Sequence, residues 1–137
     1  MQRAYFYLFL PLMHIIISRK TVLIVDDSPI IAQRLQDILV GSENISSVRQ
    51  ANDYSSALRQ LAEVRPDFVL LDINLPGKSG IALLQYIKKV YPSTTVIMIT
   101  NKADDYYRRI CLQMGADYFM DKSTDFEHLP VIISSFH

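Results

Sequence analysis

Residues 66–80 read PDFVLLDINLPGKSG, and Phe68-Val69-Leu70-Leu71 is apolar at every position until it stops at Asp72. A strand with one face in water alternates apolar and polar residues. An unbroken run between turn formers instead fits a strand covered on both faces, as in parallel sheets flanked by helices. The carboxylate that ends the run, followed by the turn-rich Asn74-Leu75-Pro76-Gly77-Lys78-Ser79-Gly80, falls at the rim where open α/β sheets bind ligands.

The rest of the chain repeats this unit. A β-branched run predicts a strand over 21–25, ending in Asp26-Asp27. Ser28 suits a helix N-cap and Pro29 a first turn. Ile30, Ile31, Leu35, Ile38 and Leu39 then recur at helical spacing, with Gly41 as the stop. A weaker strand is expected over 45–51, then a helix over 53–65 with Ala57, Leu58, Leu61 and Val64 inward. Pro66 ends it and the 68–71 strand follows. A helix over 80–90, carried by Leu83, Leu84, Ile87 and Val90, is broken by Pro92. A buried strand over 95–99 ends in Thr100. The last unit is a helix over 104–114 (α4), a short strand over 116–120 (β5) near Asp121-Lys122, and a helix over 126–136 (α5), where Pro130 fits only near the first turn. Strict alternation, five times, predicts an α/β fold: a (βα)5 doubly wound, five-stranded parallel sheet of flavodoxin-like type, with helices on both faces.

The chain has 137 residues, enough for one domain. Residues 4–17, AYFYLFLPLMHIII, are mostly apolar but are broken by Pro11 and fall short of the roughly 20 residues that span a bilayer. No small-x-small cleavage site follows them. The regular pattern begins only at Lys20, so residues 1–19 are expected to be an extension outside the core, with a native start near Met13. Lys plus Arg balance Asp plus Glu at 14 each, which gives no reason to expect a nucleic acid or membrane partner. Cys111 is the single cysteine, so no internal disulfide can form and a reducing, cytoplasmic setting is expected.

In a parallel sheet all strand C-termini share one edge. Asp26, Asp27, Asp72, Thr100 and Lys122 therefore face one crevice. Three carboxylates so placed repel one another, and a divalent cation relieves that repulsion. Hard oxygen ligands suit Mg²⁺. A lysine and a hydroxyl beside them are what phosphoryl oxygens need, and a carboxylate with a free oxygen can act as a nucleophile and form an aspartyl phosphate.

The segments VLIVDDSPII, PDFVLLDINLPGKSG, VIMIT and GADYFMDKS resemble, in order and on the matching elements, the receiver domain of two-component response regulators. The resemblance covers residues 20–137. It implies a phosphorylation-dependent switch, not an enzyme with an external substrate. Asp72 accepts the phosphoryl group from a histidine kinase or small phosphodonor. Asp27 binds Mg²⁺ directly, Asp26 mainly through water, and Asn74 through its backbone carbonyl. Thr100 and Lys122 bind the phosphoryl oxygens. Phe119 stands where receivers carry an aromatic that turns inward on activation, and the α4-β5-α5 face serves dimers, targets or an output domain.

Two positions depart from the family pattern. Asn101 replaces the usual small residue after Thr100, and Ser123 replaces the usual proline after Lys122, which disfavours a cis bond there. The Lys-Ser pair resembles receivers joined to helix-turn-helix output domains of the NarL type, so one alternative is the receiver half of a transcription regulator. A Mg²⁺-dependent phosphohydrolase with an aspartate nucleophile is a competing class, disfavoured by Asn74 where such enzymes carry a second acid. A degenerate receiver acting as a constitutive module is disfavoured by the intact set of site residues.

Overall fold

A computed structural model describes residues 19–101, 104–123 and 126–136; of the expected extension over 1–19, only Arg19 is among them. The strands are β1 (Lys20–Val25), β2 (Ile45–Ala51), β3 (Phe68–Leu71), β4 (Thr95–Thr100) and β5 (Tyr118–Asp121). They form one parallel sheet in the order β2-β1-β3-β4-β5. The helices are α1 (Pro29–Val40), α2 (Tyr54–Val64), α3 (Gly80–Val90), α4 (Asp105–Gln113) and α5 (Leu129–Ser134).

The period-two geometry of strands sorts the core into two layers. Leu23, Val25, Val69, Leu71, Val96, Met98 and Phe119 face one side, where Ala57 and Leu61 of α2, Leu83, Leu84 and Ile87 of α3, and Cys111 of α4 cover them. Their neighbours Val22, Ile24, Phe68, Leu70, Ile97, Ile99 and Met120 face the other, under Ala32, Leu35 and Leu39 of α1 and Leu129 and Ile133 of α5. β3 is buried at all four positions, as its sequence requires.

Each of the first four helices has a built start. Ser28, Asp53, Ser79 and Asp104 accept backbone N–H groups of the first turns of α1 to α4, and Asp53 and Ser56 close a capping box. At the N-terminal edge of the sheet, Asp67 holds three strands in step. Its Oδ2 accepts the Thr21 N–H at 2.9 Å, its own N–H donates to the Thr21 carbonyl, and its carbonyl accepts the Thr95 N–H.

Three expectations are corrected. Ile30 is 81% exposed and Val90 46% exposed, because each lies in a terminal turn of its helix. The last helix is split: a 3₁₀ turn at Phe126–His128 precedes α5, whose first turn holds Pro130. β5 runs to Asp121, not from Ala116. No cis peptide occurs among the described residues, so the bond before Ser123 is trans.

Candidate functional site

β1 is flanked by β2 on one side and β3 on the other, so the direction of winding reverses beside it. Such a switch point opens a crevice at the carboxyl ends of the strands. Val25 pairs with Leu71, and the Asp72 N–H donates to the Val25 carbonyl at 3.0 Å. Register alone therefore sets Asp26 beside Asp72. On the far side the Lys122 N–H donates to the Thr100 carbonyl at 3.0 Å, which delivers the lysine to the same edge.

The two central carboxylates are 3% and 4% exposed, for Asp26 and Asp72, whereas Asp27 is exposed. One oxygen of each is held locally. Asp26 Oδ1 accepts the Ser28 N–H at 2.8 Å, and Asp72 Oδ1 accepts the Asn74 N–H at 3.2 Å. The other oxygens share Lys122, whose Nζ lies 2.8 Å from Asp26 Oδ2 and 2.8 Å from Asp72 Oδ2. Thr100 ends β4 fully buried, and Phe119 is 4% exposed.

Burial pushes the Asp72 carboxyl above its ordinary value, and the Lys122 hydrogen bond and charge offset this only in part. For Lys122 burial acts downward, but the hydrogen bonds to Asp26 and Asp72 prevail and hold its ammonium above the usual lysine range. Asp72 is thus a carboxylate kept short of solvent and steadied by one cation. Asp26, Asp27 and Asp72 each present an oxygen within 4.8 Å of the others. A hard, oxygen-only donor set with a shared charge excess fits a divalent cation.

Every residue of the sequence-derived set except Phe119 and Asn74 ends at this edge through its own side chain. The Asn74 side chain is exposed while its N–H serves Asp72. Phe119 lies below the rim in the layer under α4, with the Arg108 guanidinium 5.1 Å from its ring centre. Sequence reading missed Gly80. A Cβ there would lie 1.9 Å from the Asp72 carbonyl oxygen, and the Gly80 N–H donates to the Ile73 carbonyl. The glycine lets α3 begin against the backbone of Asp72, and its place at the head of an apolar helix was the available signal.

Comparison with known proteins places the chain in one family. The family model for the response regulator receiver domain matches residues 22–134. The Fimbriae Z protein of Salmonella typhimurium LT2 is 31% identical over 105 residues, 77% of this chain and 50% of the relative. The DNA-binding transcriptional activator EvgA of Escherichia coli K12 is 26% identical over 113 residues, 82% of this chain and 55% of the relative. The chain thus spans about half the length of the curated relatives it matches. Among solved structures, a CheY-like response regulator receiver domain protein of Methanospirillum hungatei superposes with a TM-score of 0.79 at 30% identity, over 86% of this chain and 93% of that one. Five strands in receiver order, a carboxylate cluster at the switch point and a family match over residues 22–134 make this chain a member of the response regulator receiver domain family.

Proposed function

We propose that this receiver is a phosphorylation-controlled signalling switch with Asp72 as acceptor. The observation that carries the reading is the convergence of Asp26, Asp27 and Asp72 within 4.8 Å, with Lys122 bridging the two buried ones. An Asp72 oxygen attacks phosphorus, the bond from phosphorus to a histidine nitrogen of a partner kinase breaks, and that nitrogen takes up a proton. With a small acyl phosphate the phosphorus–oxygen bond breaks instead. Asp26, Asp27, Asp72 and the Asn74 carbonyl would hold Mg²⁺, which would supply positive charge to offset that of the phosphoryl group.

Lys122 gives up its contact with Asp72 Oδ2 and turns its ammonium to a phosphoryl oxygen. The Thr100 hydroxyl donates to another. Both residues lie at the ends of the strands beside α4, so their new partners act on Phe119 and on the face of α4, β5 and α5. A target, an output domain or a second copy reads that face. The chemistry is confined to gain and loss of the protein's own phosphoryl group, in the cytoplasm. Relatives of about twice this span, one of them named a DNA-binding transcriptional activator, support a role as the receiver half of a transcription regulator. Residues 1–19 remain proposed as an extension outside the receiver.

Incubation with Mg²⁺ and acetyl phosphate tests the reading. Expected is the mass gain of one phosphoryl group on Asp72, absent in Asp72→Asn. No gain in the native chain overturns it.

A further inference from the structure

Phe119 lies near the edge of the sheet, on the last strand, yet is 4% exposed. Its inner neighbours are apolar: it shares a layer with Met98, Cys111 and Ala116 and pairs in register with Met98. The side chain over its ring is different in kind. Arg108 of α4 is an exposed residue whose guanidinium lies 5.1 Å from the ring centre. Cys111, one turn further along α4, is fully buried and Tyr107 packs half-buried against the same layer, so this helix gives the layer apolar contacts and one cationic cover. The same guanidinium lies close enough to Asp121 to help hold that carboxyl below its ordinary value, after the larger effect of the Ser123 hydrogen bonds.

An aromatic ring roofed by a long charged side chain is held differently from one roofed by backbone. The guanidinium covers one face of the ring while the residue as a whole stays in contact with water. The attraction is modest, and the cover can lift without opening a cavity.

We infer that Arg108 is a positioning residue: its guanidinium closes over the Phe119 ring and holds it inward, tying the rotamer of β5 to the placement of α4. The inference rests on Phe119 being the switching aromatic of the proposed function. It adds that the inward state is favoured before phosphorylation, because its roof is already in place. Movement of α4 away from β5 releases the ring, and outward rotation of the ring displaces Arg108.

A 4-fluorophenylalanine at position 119, read by ¹⁹F NMR with a soluble paramagnetic agent, tests this in the otherwise native chain. Arg108→Ala should raise the ratio of solvent-exposed to buried signal about two- to fivefold, the range a partly exposed cation–π contact supports. Arg108→Lys keeps a cation and should retain most of the buried signal. Beryllofluoride with Mg²⁺ should return the Arg108→Ala ring to the buried signal. If Arg108→Ala and native spectra coincide, or if Arg108→Lys matches Arg108→Ala, the positioning role is wrong. A fall in thermal stability with an unchanged ring signal also counts against it, as a merely structural contact. Beryllofluoride that binds at Asp72 yet leaves every ring signal unmoved removes the switch reading of Phe119, while the buried-to-exposed ratios without it still judge Arg108.

Discussion

The Lys122 ammonium lies 2.8 Å from Asp72 Oδ2, joining residues 50 apart in sequence. It lies equally close to Asp26 Oδ2, so one cation holds an oxygen of each buried carboxylate.

Replacing Lys122 with methionine leaves two buried carboxylates facing each other. Breaking a buried ion pair from one side is costly, and a loss of about 3 kcal/mol in urea unfolding is expected. Added Mg²⁺ should raise the melting temperature of Lys122→Met more than that of the native chain, since no ammonium has to be displaced. Equal rises would show that Lys122 and the ion do not compete.

Asp72→Asn should have the opposite effect on stability. It removes a desolvated charge and keeps the shape, and the midpoint should rise by a few degrees, the response to roughly 1 kcal/mol in a domain of this size. The pH dependence has a definite sign. Folded Asp72 holds its proton more tightly than an ordinary aspartate at 3.8. Its contribution is therefore fullest below that value and declines as pH rises through the raised one. Asparagine lacks this slope, so its advantage grows across that window and stays level above it. Melting curves from acid to neutral pH check this; an advantage that shrinks as pH rises would contradict it.

Gly80 and Gly77 should respond differently to alanine. At Gly80 the new Cβ meets only backbone, 1.9 Å from the Asp72 oxygen and 2.9 Å from the Ile73 Cα. A loss of about 2–3 kcal/mol is expected, with weakened phosphoryl acceptance. At Gly77 the space is open and only the positive φ of 90° is strained, so about 1 kcal/mol is expected with acceptance intact. Denaturant midpoints and the acetyl phosphate mass assay on both variants separate the two effects.

Thr100→Val keeps the buried volume at the end of β4 and removes the hydroxyl. Beryllofluoride should still bind at Asp72, while the amide shifts it induces in α4 fall to less than half of native. Full-sized shifts in the variant would mean that the hydroxyl carries no signal.

Much of this site was legible because strand ends are legible. The apolar runs that stop at Asp26 and Asp72 mark a parallel sheet, and parallel register brings both to one edge. Helical spacing marks the apolar stripes of the helices but not where the layer stops, and Ile30 and Val90, on those stripes, lie outside it. Pairwise approaches were not legible. Nothing in local sequence says that Lys122 reaches two carboxylates, that Gly80 touches the Asp72 backbone, or that Arg108 covers Phe119. Each depends on how far one element is set from the next, which packing decides.

The hydrogen bonds of Asp67 with Thr21 and Thr95 lie at the opposite end of the strands from the crevice. β3 has only four residues, and Asp72 follows Asp67 by five positions, about 16 Å along an extended chain. A short rod clamped at its foot carries any misalignment undiminished to its tip. Thr21 and Asp67 therefore act as the gauge for the carboxylate edge at the far end of the strand.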